Sequence, residues 1–476
     1  MRSRRFGALA ALAAMLAGCG GGGSGGTADT IASGGTPTPS PTAGCSLRDR
    51  QNWALAEMRE WYLFPDTLPA SLDPAPYATV DAYVDALTAT ARAQHKDRYF
   101  TYLTSISGEN AYYDSGSSAG FGFRLALDSS SRLFISETFE GTAALAAGID
   151  RGAQILAIGT STADLRTVSA IVASGGSDAL SDALGPDTAG TTRVLQFKDT
   201  AGTTRTVSVT KTAYSLTPVS SRYGAQIITD NGQSFGYVNL RTFINPAEQP
   251  LRDAFASFKA AGVTNVIVDL RYNGGGLISV AETLANLMGA NRSSSDVIDR
   301  MAFRPEKASN NSTATFAVQP QSIAPTRIAF IGTGGTASAS EIVINAFVPY
   351  LHANAGLIGT NTYGKPVGQV ALDKSACDDR LRVIAFAVQN AAGTGDYYDG
   401  LATKVEASCQ AGDDLNHPLG SPLESSTRSA LDFLEGKSCN RIGATSSDAS
   451  AQSVSFRDLL TPSRPTTQQR EVPGSF

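Results

Sequence analysis

Histidine is nearly missing from this chain: His95, His352 and His417 are the only three in 476 residues. A Ser-His-Asp triad would have to use one of them, and no His/Cys/Asp cluster stands at metal-ligand spacing, which argues against a metal enzyme. Charge is sparse as well, at 17% Asp, Glu, Lys and Arg with a formal net of −5 and no basic block. That argues against nucleic acid as a main partner. The G-x-x-x-x-G-K-[ST] spacing of a phosphate loop does not occur. The N-terminal apolar run is too short to span a bilayer as a permanent helix.

What is present begins with an export signal over residues 1–19. MRSRR supplies the positive region, FGALAALAAML the apolar region, and Leu16-Ala17-Gly18-Cys19 a cleavage site. Small residues before a cysteine resemble a bacterial lipobox, which implies lipidation at Cys19, and Gly20 after it suggests the outer membrane. Residues 20–44 are rich in Gly, Ser, Thr and Pro without apolar periodicity, and read as a disordered tether. Cys45, Cys377, Cys409 and Cys439 remain, an even number suited to disulfides in an exported protein. Sequence allows three pairings; the expected one joins Cys377 to Cys409 and Cys45 to Cys439.

The rest is long enough for several domains. Residues 46–105 carry helical stripes: Trp53, Met58 and Trp61 in one, with both tryptophans expected as core anchors, and Val80, Tyr83, Val84 and Leu87 in the other. Strands and glycine turns follow over 112–213, with a hairpin expected across Asp199–Gly202. From Gln233 to about 437 the pattern is α/β. NVIVDLR (265–271) is a continuous apolar strand of the kind buried on both faces. It runs into Asn273-Gly274-Gly275-Gly276 and then a helix, so that free N–H groups gather above the strand end. Asp269 and Arg271 read as a structural ion pair. Residues 440–476 are Ser/Thr/Gln-rich and are expected to be disordered, apart from a short docking piece near Phe456–Leu460.

One stretch carries the chemistry. In TASASEIVINAFVPYLHANAGLIGTNTYGKPVGQ (336–369), a small-residue turn presents Ser338 and Ser340 ahead of a helix, and a short strand then leads to Gly364-Lys365. A serine hydroxyl is a poor nucleophile until a neighbour takes its proton, and an amine can do so if burial lowers its pKa. His352 stands at the far end of the helix, roughly 20 Å away at 1.5 Å per residue, and reads as structural or solvent-facing.

These residues resemble the catalytic segment of the C-terminal processing (tail-specific) serine peptidases. The resemblance implies Ser338 as nucleophile, Lys365 as general base and Gln369 as the residue orienting it; Pro366 departs from the family's G-K-G-x-x-Q. DLRYNGGG resembles D-L-R-x-N-x-G-G of the same family, with Gly274 in place of the usual Pro. It implies an oxyanion hole from the N–H groups of Gly275, or less favourably Gly276, and Ala339. Gly120-Phe121-Gly122-Phe123 and the run 141–159 resemble the carboxylate-binding loop and following segment of PDZ domains, with Ala153 where Asp is common.

The fold implied is α/β and multi-domain: a small helical N-terminal domain, a PDZ-like β domain and an α/β (crotonase/ClpP-like) peptidase domain. The function implied is a periplasmic, lipid-anchored serine endopeptidase without cofactor or metal. Its partners would be protein substrates with a free C-terminus, the membrane through Cys19, and an activator of unknown identity. The competing reading is an inactive, PDZ-containing peptide-binding lipoprotein.

Overall fold

Hydroxyl caps start the first helices. Ser46 accepts the Asp49 N–H ahead of α1 (Leu47–Trp61), and Thr79 accepts the Ala82 N–H ahead of α2 (Val80–Leu87). Ala54 and Met58 then share one buried cluster with Val80, Tyr83, Val84 and Leu87, as the i, i+3, i+4 spacing requires. The two tryptophans, expected as core anchors, are only half-buried: the Trp53 indole donates to Glu57 at 3.1 Å, and Lys307 lies over the Trp61 ring. The computed structural model describes residues 42–443 and 457–476. The expected signal peptide with Cys19, and nearly all of the tether, lie outside the described residues.

After α3 (Ile106–Ser115) comes an antiparallel β unit. Its strands β1 (Phe123–Asp128), β2 (Leu133–Thr138), β3 (Gln154–Gly159), β4 (Thr192–Lys198) and β5 (Thr204–Thr210) pair in sequence order, with helix α4 (Val168–Leu184) inserted between β3 and β4. Leu133 and Ile135 on β2, and Leu195 and Phe197 on β4, alternate into one core.

The next unit is a six-stranded sheet, again in sequence order. It comprises β6 (Gln226–Asp230), β7 (Gln233–Asn239), β8 (Asn265–Asp269), β9 (Arg327–Gly332), β10 (Ala355–Gly359) and β11 (Ala407–Gln410). The first pair is antiparallel and every later pair parallel. Parallel strands need crossovers, and α5 (Glu248–Ala260), α6 (Ile278–Leu287) and α7 (Ala339–Leu351) lie in these connections. They cover one face, where Val266, Val268, Ile328, Phe330 and Leu357 point. On the other face Ile267, Ala329, Ile331 and Ile358 meet α8 (Ser425–Leu434) through Ala430, Leu431 and Phe433. Burial on both sides explains why these strands are apolar without alternation. The mixed α/β, multi-domain class is therefore observed.

A second sheet sits beside the first. Its long strand Asp379–Gln389 pairs with Tyr102–Ser105, Val297–Phe303 and Val367–Lys374, joining the N-terminal helices to the segment that follows Lys365.

Two expectations are corrected. The disulfides are Cys45–Cys377 and Cys409–Cys439, with Cα atoms 5.6 and 5.4 Å apart. Cys45 precedes α1, which packs on the Asp379–Gln389 strand beside Cys377, while Cys439 follows α8 back to β11. The tail is ordered over 457–476, well beyond the docking piece expected near Phe456–Leu460. It forms β12 (Arg457–Leu459), antiparallel to β1, and α9 (Thr467–Glu471). Backbone pairing with β1, rather than any periodicity of its own, orders it.

Candidate active site

The turn between β9 and α7 is strapped onto the end of β8. Thr336 Oγ1 donates to the Leu270 carbonyl at 2.8 Å, while the Ala337 N–H and Ser340 Oγ donate to the Asn273 carbonyl at 3.0 and 2.9 Å. Held from both sides, Ser338 sits at φ 55°, ψ −117°, a conformation that costs a non-glycine residue about 1–3 kcal/mol. Ser340 is buried with its hydroxyl engaged, whereas Ser338 keeps some exposure at the helix start. Of the two serines, only Ser338 is presented for chemistry.

Glu341, three residues on, is fully buried and organises both halves of the site. Its carboxylate accepts the Ser338 N–H at 3.0 Å, the Gly364 N–H at 2.8 Å, the Lys365 N–H at 2.7 Å and the Thr362 hydroxyl at 2.6 Å. One side chain thereby fastens the serine turn to the lysine turn. Burial pushes its carboxyl pKa up, and these four donors pull it back.

Lys365 is half-buried, and its Nζ donates to Gln369 Oε1 at 3.1 Å. The Gln369 amide donates in turn to the Phe100 carbonyl at 2.5 Å, which fixes which amide atom faces the lysine. The Phe100 ring lies 5.3 Å from Nζ. Burial holds the ammonium's pKa below its ordinary value; the Glu471 carboxylate opposes that, and Arg470 and Arg382 reinforce it. Among the described residues Nζ makes no hydrogen bond to Ser338.

The glycine loop lies directly against the serine. Gly275 has φ +124°, and a Cβ there would stand 2.8 Å from the Ser338 Cβ and 3.1 Å from the Ala339 nitrogen, so no larger residue fits. The Ala339 N–H has no partner among the described residues. The Gly275 N–H, expected as the second oxyanion donor, is engaged by Asn273 Oδ1 at 2.9 Å, whereas the Gly276 N–H has no such partner among the described residues.

Beneath this loop is a buried ionic lattice. Arg271 Nε donates to Asp269 at 2.9 Å, and its terminal nitrogens to Glu424 at 2.9 and 2.8 Å. Arg151 of the β unit reaches Asp413 at 2.8 Å and the Tyr272 hydroxyl at 3.1 Å. Burial alone would raise the Asp413 carboxyl, but Arg151 and Arg271 hold it at about 2.

Gly120, Phe121, Gly122 and Phe123 lie apart from this cluster, at the start of β1. The Gly122 N–H donates to the main-chain oxygen of Phe476 at 3.0 Å, and the Phe476 N–H returns a bond to the Phe123 carbonyl at 3.0 Å. The next residue, Arg124, connects the two regions: its guanidinium donates to the Tyr272 carbonyl at 2.8 Å and the Pro473 carbonyl at 2.6 Å. A cleft of about 1380 Å³ opens beside Gly274, Ala337 and Lys365.

Ser338, Ala339, Gly275, Lys365 and Gln369 are thus brought together, the Gly120–Phe123 loop stands one arginine away, and Cys19 falls outside the described residues. Sequence reasoning missed Glu341 and Asn273. The Ser-x-x-Glu capping spacing was a usable signal for Glu341; nothing local marks Asn273 as a clasp. His352 is exposed and paired with Glu406 at 2.8 Å, away from this group.

Residues 234–395 match the sequence model of peptidase family S41, and residues 49–102 that of the peptidase S41 N-terminal domain. The segment holding Ser338, Lys365 and Gln369 therefore falls within a peptidase-family match. The chain is 28% identical over 144 residues to a chloroplastic C-terminal processing peptidase of Tetradesmus obliquus, covering 30% of this chain and 29% of that one. It is 28% identical over 163 residues to a carboxyl-terminal-processing protease of Synechocystis, covering 34% of each. These alignments span about a third of the relatives' own length. Among solved structures, a Bacteroides fragilis protein assigned to the S41 proteases matches at 24% identity and a TM-score of 0.60, over 81% of this chain and 97% of that one. That likeness is one of fold.

Proposed function

We propose that this chain is a serine endopeptidase that cleaves protein substrates through a Ser338–Lys365 dyad and recognises them by a free C-terminus. The observation that carries the reading is Glu341, whose single carboxylate fastens the serine turn to the lysine turn while Gln369 orients the amine. Neutral Lys365 takes the Ser338 proton as Oγ attacks the carbonyl carbon of the scissile peptide. The C–N bond then breaks and the proton passes to the leaving amine, leaving an ester on Ser338. Water, deprotonated by the same lysine, attacks the ester and releases the acid and the free serine.

The Ala339 N–H stabilises the oxyanion together with a loop amide, either Gly275 once Asn273 lets go of it or Gly276. One such donor is worth about 10²–10³ in rate. A PDZ-like role for the β unit is supported by converging amides at Gly120–Phe123 and by the edge of β1 away from β2, which already accepts an added strand, Arg457–Leu459, as it would the end of a peptide. Export and lipidation at Cys19 would hold the enzyme on the periplasmic face of the outer membrane.

The test compares the parent chain with Ser338→Ala and Lys365→Ala on an unfolded protein substrate. Each variant is expected to lose at least about 10³-fold in kcat; undiminished cleavage by either would reject the dyad. A peptide-binding lipoprotein without chemistry would leave all three chains inactive while still binding peptide ends.

A further inference from the structure

The edge of β1 that would receive a peptide is already filled, and the strand filling it is the chain's own tail. Arg457, Asp458 and Leu459 pair antiparallel with Asp128, Leu127 and Ala126, and the Leu460 N–H continues the ladder to the Leu125 carbonyl at 3.0 Å. The chain then leaves the edge, passes the cleft as α9, and returns. The Leu125 N–H donates to the Gly474 carbonyl at 2.8 Å, and Phe476 occupies the glycine loop, its side chain buried in the core of the β unit. Between these two anchor points the tail crosses the catalytic region. The Gly274 N–H donates to the Glu471 carbonyl at 2.9 Å. The Arg470 guanidinium lies 3.7 Å over the Tyr102 ring, and the Tyr113 hydroxyl donates to Glu471 at 3.0 Å.

Gly274 gives this crossing a sequence signature. It is the position where D-L-R-x-N-x-G-G ordinarily has proline. A Cβ here would stand 2.1 Å from the Arg470 carbonyl oxygen, and proline has no N–H to offer Glu471. The departure in the motif thus falls where the tail's backbone touches the loop, and glycine is what permits both the approach and the bond. Glu471 also bears on the base. Its carboxylate is the leading charge favouring protonated Lys365, the form that cannot accept a proton.

We propose that residues 457–476 are an intramolecular ligand that occupies the peptide edge and obstructs the cleft, and that a peptide ending in an apolar aromatic residue competes with them for the same edge. This rests on the reading of that edge as the substrate-end site. An attached ligand raises the apparent dissociation constant of any competitor in inverse proportion to the fraction of time the edge is left undocked.

The test uses the full chain and a fluorescein-labelled peptide of residues 466–476. In Gly474→Val the new Cβ would stand 2.8 Å from the Leu125 carbonyl oxygen on a backbone at φ +84°, so the tail should be expelled. Phe476→Asp removes the buried ring without altering that turn, and serves if the first variant does not fold. Both are expected to bind the labelled peptide about tenfold more tightly than the parent, and to hydrolyse an unfolded protein faster by a similar factor. The same peptide ending in Asp should not compete. Equal binding by parent and variants, or no binding by any, overturns the proposal, as does unchanged hydrolysis in an active enzyme. Tighter binding with no hydrolysis in any chain supports the docked tail and counts against the Ser338–Lys365 chemistry instead.

Discussion

A serine hydroxyl becomes a useful nucleophile only when a neighbour can accept its proton, and an ammonium cannot. Lys365 therefore has to be neutral to work, and its surroundings press it in that direction. Burial favours the uncharged amine, Arg470 and Arg382 repel a positive charge, and Glu471 and Asp97 oppose them. Because the shift is downward, activity should rise with pH as the amine deprotonates, with a midpoint below the 10.5 of an ordinary lysine. A kcat/KM profile that is flat from acid to alkaline pH would contradict this. The same shift has a consequence for stability. At pH values between the lowered pKa and 10.5 the folded chain binds fewer protons at this site than the unfolded one, so the site's contribution to stability rises with pH. Ser338, Lys365 and Gln369 could be picked out together because each sits in a short, local motif that resembles one family's, and the structure links their two turns through Glu341. The engagement of the Gly275 N–H by Asn273 could not, since it depends on a side-chain rotamer two residues away.

At the level of elements, the site is the meeting of two turns, and Glu341 is what makes them meet. Glu341→Ala would strand three N–H donors and the Thr362 hydroxyl, all four now held by the carboxylate. Unsatisfied buried donors cost about 1–3 kcal/mol each. A loss of several kcal/mol in urea unfolding, together with at least about tenfold lower kcat, is the expected outcome. A variant with wild-type stability and rate would show that the turns hold their places without it. The strands that carry these turns were legible because burial on both faces writes an unbroken apolar run, as in NVIVD (265–269) and RIAFIG (327–332). The helix carrying Glu341 was legible too: it runs from Ala339 through Pro349 to Leu351, with His352 at its far end. In the tail, β12 falls on the docking piece expected near Phe456–Leu460, but its strand form and α9 were not legible. Three-residue and five-residue elements have no measurable period, and their order comes from pairing with β1 and from contacts with Tyr99, Tyr102 and Tyr113.

For the molecule as a whole, distant segments are fastened to the catalytic unit. Cys45–Cys377 ties the start of α1 to the strand pair that carries Gln369, across 332 residues of sequence. Spacing alone could not reveal that pairing, because it follows from which sheet α1 packs on. The docked tail is the corresponding tie at the other end. Export would complete the arrangement by tethering the enzyme through Cys19. Cells given a labelled fatty acid should incorporate it into the parent chain and not into Cys19→Ser; labelling of both would place the lipid elsewhere, and labelling of neither would mean that the chain is not lipidated.

The measurement that bears most directly on the chemistry is cleavage of an unfolded protein by Gly474→Val, in which the tail should no longer cover the cleft, with and without Ser338→Ala added. Cleavage by the single variant and its loss in the double variant is the predicted result. Equal cleavage by both would show that another group supplies the nucleophile.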